Sequence, residues 1–350
     1  MQSPEGSPPN REPESLLALL AAFRTTAAMG GVGPAAFLAD GWRQYKDRFV
    51  TSEGRVVDNV NGGISHSEGQ GYGMLIAERL DDRPTFEAIW QWTQDNLLIR
   101  GDGLAAWRWS PQAPHVADHN NATDGDLLLA WALAEASDRW HVSEYRKSAR
   151  QIVEGLAANV VISSRFGPIL LPASTGFAGK DRPDGPVVNL SYWIFPAFKR
   201  LRAVSDAIDW DGLTATGETL IGLSRFGPRR LPSDWISLAG AQPEPANSFP
   251  AVFGYDAVRI PFYLAWGEPA DRGLLKVFSP LDLSVVDLKT ASPSQKLSDP
   301  DYGAIANLVE CVGSHSPVQW KAFHGESYYP ASLYLLTLIA AKEVGEACPP

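Results

Sequence analysis

"TDGDLLLAWALAEASDRW", residues 123–140, is apolar on almost every face of the helix that its three- and four-residue spacing predicts. Such a helix has to be buried between other helices. The next segment, "SEYRKSARQIVEGL" at 143–156, has the same period but one charged face, and should meet water. The contrast recurs along the chain. "VRIPFYLAW" (258–266) and "SLYLLTLIAA" (332–341) repeat the first type, and about ten helices are predicted in all. They fall at 34–49, 71–80, 84–98, 123–140, 143–161, 191–205, 212–224, 255–268, 302–312 and 328–344. Alternation of buried and amphipathic helices predicts an all-α architecture, an inner ring wrapped by an outer one. Strand patterns are scarce; 160–172 and 54–62 are the best hairpin candidates.

No low-complexity linker divides 35–345, which therefore reads as a single domain. Residues 1–34 stand apart. "MQSPEGSPPNREP" (1–13) is polar and proline-rich, the composition of a disordered segment. "ESLLALLAAFRTTAAMGG" (14–31) fits either a degraded or mis-started export signal or an ordinary first helix. Glu12 and Glu14 stand where an export signal carries positive charge, and Arg24 interrupts the tail.

The formal charge of −10 over 350 residues argues against a nucleic-acid partner, which calls for a basic face. No run of 18 apolar residues exists, so no transmembrane helix is predicted. Two cysteines, Cys311 and Cys348, make neither a disulfide framework nor a metal set. In "HVADH" (115–119) a helix would put His115 and His119 on one face. Pro114 before them and Asn120 and Asn121 after them predict a loop instead, with no third ligand, so neither metal nor cofactor is expected. Twelve tryptophans are the unusual count. Trp90, Trp92, Trp107 and Trp109 come in pairs among polar residues, which suits stacking on sugar faces, while about half of the twelve should fill the core.

Most of the buried helices open with polar residues. Glu68 precedes one; Asn121, Thr123 (a candidate N-cap) and Asp124 precede the next; Asn189 and Tyr192, Asp256 and Arg259, and Tyr328 and Tyr329 open the others. If the inner helices run the same way, these openings converge in a polar cleft with aromatic walls.

Glu68 sits in "HSEGQGYGML" (66–75), before Gly69, Gly71 and Gly73. Met74 breaks the dinucleotide-binding pattern, and no phosphate-loop lysine follows. Two readings remain: glycines that let a ligand approach the backbone, or a capping acid with glycines that ease packing. Asp124 and Asp126 read alone as a helix cap and a solvated charge. Asp256 and Arg259 read alone as an i,i+3 ion pair. Taken together, the acids suggest more. One carboxylic acid can protonate a leaving oxygen while a second, ionised, activates water, and glycoside hydrolysis needs little else.

"HSEGQGYGM" (66–74), "NATDGDLLLAWALAEASDRW" (121–140), "FGYDAVRIPFYLAW" (253–266) and "SYYPASLYLL" (327–336) resemble glycoside hydrolase family 8. The likeness is to the endoglucanases encoded with bacterial cellulose synthases, over about 38–342. It implies an (α/α)6 barrel with short hairpins in its loops, and inverting endo-hydrolysis of β-1,4-glucan such as cellulose. It also implies Glu68 as general acid, Asp256 as general base, and Asp124 as the residue that holds and distorts the sugar at the cleavage point. Arg259 would steer the base or grip substrate, and Tyr192, Tyr255, Trp109, Tyr328 and Tyr329 would form subsite walls. The motifs leave xylan, chitosan and mixed-linkage glucan open as substrates, and also an idle polysaccharide-binding role beside a cellulose synthase complex. Family context implies a periplasmic or secreted protein, although the N-terminus signals export poorly. A helix N-terminus lowers a carboxyl pKa, so burial against aromatics and repulsion from Asp124 have to keep Glu68 protonated.

Overall fold

The computed structural model describes residues 33–267 and 272–348. All ten expected helices are present: α1 (Ala35–Phe49), α2 (Ser67–Arg79), α3 (Arg83–Asn96), α4 (Thr123–Trp140) and α5 (Ser143–Asn159), then α6 (Phe195–Leu201), α7 (Trp210–Leu223), α8 (Arg259–Gly267), α9 (Gly303–Ser314) and α10 (Tyr328–Glu343). The even-numbered helices pack side by side, and α10 closes the ring against α2. α1, α3, α5 and α7 lie outside, while α9 joins the ring between α8 and α10. Burial follows this order. In α4, Thr123 through Ala134 are all buried, whereas α5 buries only Tyr145, Ala149, Ile152 and their neighbours on one stripe. Among the described residues the inner ring therefore holds six helices, α2, α4, α6, α8, α9 and α10.

Turns from an inner helix to the next outer one are tight at two places. Asp81 between α2 and α3, and His141 between α4 and α5, take left-handed conformations that reverse the chain within three residues. The connections from outer to inner helices are long, and they carry most of the β structure. The 160–172 segment forms the expected hairpin, Val161–Ser164 paired with Gly167–Leu170. The 54–62 segment does not form a strand pair; single bridges, Val50 to Val56 and Asp58 to Ile64, brace an irregular turn. Ser65–His66 pairs with Arg108–Trp109. Two three-stranded antiparallel sheets complete the set, one of 187–188, 236–237 and 244–245, the other of 252–253, 284–287 and 293–296.

The alternating glycines belong to packing. All three lie inside α2, not in a loop. A Cβ on Gly69 would stand 2.5 Å from Tyr328 Oη, one on Gly71 2.5 Å from Leu128 Cβ, and one on Gly73 2.9 Å from Val56. Of the two readings left open by the sequence, close helix contact accounts for them.

Four other expectations are corrected. Thr123 is not an N-cap: Ala122 holds that position, and the Thr123 hydroxyl donates to Leu171 O at 2.7 Å. Asp126 is not solvated; it is fully buried and accepts from Ala105 N (2.8 Å) and Asn121 Nδ2 (2.9 Å). Trp90 and Trp92 belong to the core. Cys311 and Cys348 form a disulfide, because the loop after α9 returns to its start and α10 then runs parallel to it, bringing the end of the chain to the last turns of α9. The "HVADH" segment is a loop, as expected. The export-signal reading of 14–31 lies outside the described residues, and among these no helix is long and apolar enough to cross a membrane.

Candidate active site

The openings of the inner helices meet. Glu68 stands in the first turn of α2, Asp124 in the first turn of α4, and Asp256 just ahead of Arg259, the first residue of α8. One guanidinium joins all three carboxylates. Arg259 Nη1 donates to Glu68 Oε1 and, at 3.0 Å, to Asp124 Oδ2; Nη2 donates to Asp256 Oδ1 at 2.9 Å. The sequence paired Arg259 with Asp256 alone; helix convergence supplies the other two. The planar fork presents its donors in fixed directions, which suits a cation shared by several carboxylates. Gly125 permits the meeting of α2 and α4. A Cβ there would come 2.7 Å from the backbone nitrogen of Glu68.

The three acids differ in access. The side chains of Glu68 and Asp256 are 17% and 29% exposed, Asp124 only 4%, and Arg259 2%. Two acids therefore face the cleft while the third sits behind them. Burial, reinforced by the charge of Glu68, pushes Asp124 up from the ordinary 3.8 to about 7, against the pull of Arg259. Burial also raises Asp256, with Arg259 again opposing.

Tyrosines surround the cluster. The Arg259 guanidinium lies 5.7 Å from the Tyr192 ring and 5.9 Å from that of Tyr329. Tyr329 Oη donates to Tyr255 O at 2.9 Å, and Tyr255 is 43% exposed on the rim. Tyr328 is buried against Gly69, its hydroxyl unpartnered. Trp109 is the exception. Its ring stacks on His115 at 4.8 Å, meets Trp92 edge-on and lies 4.8 Å from the Arg55 guanidinium. It is not part of the wall of the cavity beside Glu68.

Sequence reasoning missed two neighbours. Tyr72 Oη donates to Glu68 Oε1 at 3.1 Å and touches Tyr263 Oη at 3.2 Å. Its i+4 spacing from Glu68 was a usable signal. Asp234 accepts from Gly254 N (2.7 Å) and Ala257 N (2.9 Å), which pins the turn that carries Asp256. Burial, and then repulsion from Asp256, push it up to about 7. Nothing in its loop sequence pointed to this.

Residues 12–311 match the model of the glycosyl hydrolases of family 8. The chain belongs to that family. An endoglucanase of Cellulomonas uda is 40% identical to it over 256 residues, 73% of this chain and 70% of the relative. A probable endoglucanase of Novacetimonas hansenii is 35% identical over 91% of this chain and 95% of its own. Among solved structures, a family 8 endoglucanase from Klebsiella pneumoniae superposes with a TM-score of 0.80 at 33% identity, covering 87% of this chain and all of the other. The fold is the (α/α)6 barrel of family 8.

Proposed function

We propose that this family 8 chain is an endo-β-1,4-glucanase that cleaves cellulose or its soluble derivatives with inversion. The observation that carries the reading is one buried guanidinium gathering three carboxylates, two of them open to the cleft. The endoglucanase names of the relatives supply the substrate class.

Glu68, as general acid, delivers a proton to the glycosidic oxygen as the C1–O bond breaks, and the departing sugar leaves as an alcohol. Beside it, burial pushes Asp124 up to about 7. Water attacks C1 from the opposite face and gives its proton to Asp256, so the anomeric centre inverts. Asp124, set behind, holds the sugar at the cleavage point, and Arg259 fixes the relative positions of the acids. Tyr192, Tyr255, Tyr328 and Tyr329 supply walls for the glucan. Trp109, enclosed by His115 and Arg55, contributes to the frame of the cleft.

A disulfide between Cys311 and Cys348 suits an oxidising compartment, which supports a periplasmic or secreted protein. The likeness of its motifs to endoglucanases encoded with bacterial cellulose synthases is the support for work beside a cellulose synthase complex. The test is reducing-sugar release from carboxymethylcellulose, set against xylan, chitosan and mixed-linkage glucan, with the first-formed anomer followed by NMR. Release of the α-anomer from the glucan alone, lost in Glu68→Gln and in Asp256→Asn, is expected. Binding without release, or a β-anomer, would overturn the reading.

A further inference from the structure

A cavity of about 530 Å³ opens beside Glu68, and its wall includes Asp58, His66, Tyr255, Gln295 and Tyr328. Neither Asp124, Asp256 nor Tyr192 reaches that wall. A space that touches the proposed acid but not the proposed base lies on the side where the leaving sugar departs.

The floor of this space holds two polar groups that do not satisfy each other. His66 Nε2 and Asp58 Oδ2 are 4.0 Å apart, too far for a direct hydrogen bond. His66 Nδ1 is buried without a partner, and so is Tyr328 Oη beside it. Both groups are held in place. Asp58 accepts from Val60 N (3.0 Å), Asn61 N (3.1 Å) and Asn61 Nδ2 (2.7 Å), which fixes its carboxylate in the turn. The His66 ring stacks parallel to Trp107, and its backbone pairs with Arg108. Burial lowers the His66 pKa, with Arg108 adding to that effect, while Asp58 and Asp124 oppose it. A neutral ring offers one donor and one acceptor. A single hydroxyl oxygen set about 2.8 Å from each group completes both, accepting from the imidazole and donating to the carboxylate.

We propose that Asp58 and His66 are a specificity-determining pair that grips one hydroxyl of the sugar on the leaving-group side. The assignment rests on Glu68 being the acid. It separates two substrates: cellopentaose needs the leaving-side sugar, whereas β-cellotriosyl fluoride has only fluoride to expel.

The experiment compares kcat/KM of the wild type, His66→Ala and His66→Gln on both. The expected loss for His66→Ala is about 3- to 12-fold on cellopentaose, the scale of one hydrogen bond between neutral groups, and under twofold on the fluoride. His66→Gln, which keeps a donor, should recover part of the loss. Equal losses on both substrates would show that His66 acts through the acids and overturn the pair, and so would no loss on either. A wild-type enzyme that hydrolyses the fluoride but no β-1,4-glucan would overturn the substrate assignment instead.

Discussion

Arg259 donates to Asp124 at 3.0 Å from a side chain that is 2% exposed, and the same guanidinium carries Glu68 and Asp256. Without that cation the three clustered carboxylates, Asp124 buried and the other two half-buried, would repel one another. Arg259→Met should therefore cost about 3–5 kcal/mol of stability at pH 7, the usual penalty for stranding buried charge. The penalty should shrink at pH 5, where the acids can take up protons. Arg259→Lys keeps the charge but loses the fork, and the loss of two charge-assisted bonds predicts a fall in kcat/KM of at least about 100-fold. Denaturant melts at both pH values and kinetics on cellopentaose check this; a variant with wild-type melts at pH 7 would contradict it.

The raised pKa of Asp124 has a sign that can be measured. The folded state binds its proton up to about pH 7, while the unfolded chain releases it near 3.8. Between those values the native state holds more protons, so stability declines as pH rises through the window. Asp124→Asn removes one such group. Its stability should fall less steeply with pH, by up to about 1.4 kcal/mol per pH unit. Activity should collapse at every pH. A slope identical to that of the wild type between pH 4.5 and 7 would mean that Asp124 ionises normally.

Gly71 tests the packing account of the alternating glycines. A methyl group there meets the Cβ of Leu128 at 2.5 Å and the backbone of Leu128 and Leu129 at 3.2 Å, so α2 and α4 have to separate. Gly71→Ala should destabilise by about 1–3 kcal/mol despite the better helix propensity of alanine. Because the same movement displaces Glu68 from Asp124, kcat should drop with stability. A stabilised, fully active variant would restore the idea that the glycines serve a ligand.

The helices were legible because burial leaves a period of its own: α4 and α10 are apolar all round and α5 is not. The meeting of Glu68, Asp124 and Asp256 was legible as residue types at helix openings, joined by their resemblance to family motifs. What the sequence hid were relations made by folding at long range. Arg259 shows its i,i+3 partner in sequence, but its bonds to Glu68 and Asp124 span 191 and 135 residues. Asp234 lies in a loop with no period to read, and its role appears only when the loop folds onto the Asp256 turn. Trp109, flanked by polar residues, is half-buried, packed against His115 and Arg55 of the adjoining loops. The two cysteines were too few to suggest a framework, and only the parallel course of α9 and α10, with the loop between them running back to the start of α9, brings them together.

That disulfide closes a sequence separation of 37 between two buried cysteines, and so ties the last residues after α10 to α9. The entropy it removes from the unfolded chain corresponds to about 4 kcal/mol for a loop of this length. Replacing both cysteines by alanine should lower Tm by several degrees and leave kcat near wild type, since the catalytic cluster lies at the opposite end of α10. Reductant should lower the wild-type Tm by a similar amount and leave that of the double variant unchanged. α10 also carries Tyr328 and Tyr329, so a loosened C-terminus should raise KM for the glucan only close to the melting temperature. Equal melting of the reduced and oxidised wild type would show that the bond adds nothing to the folded barrel.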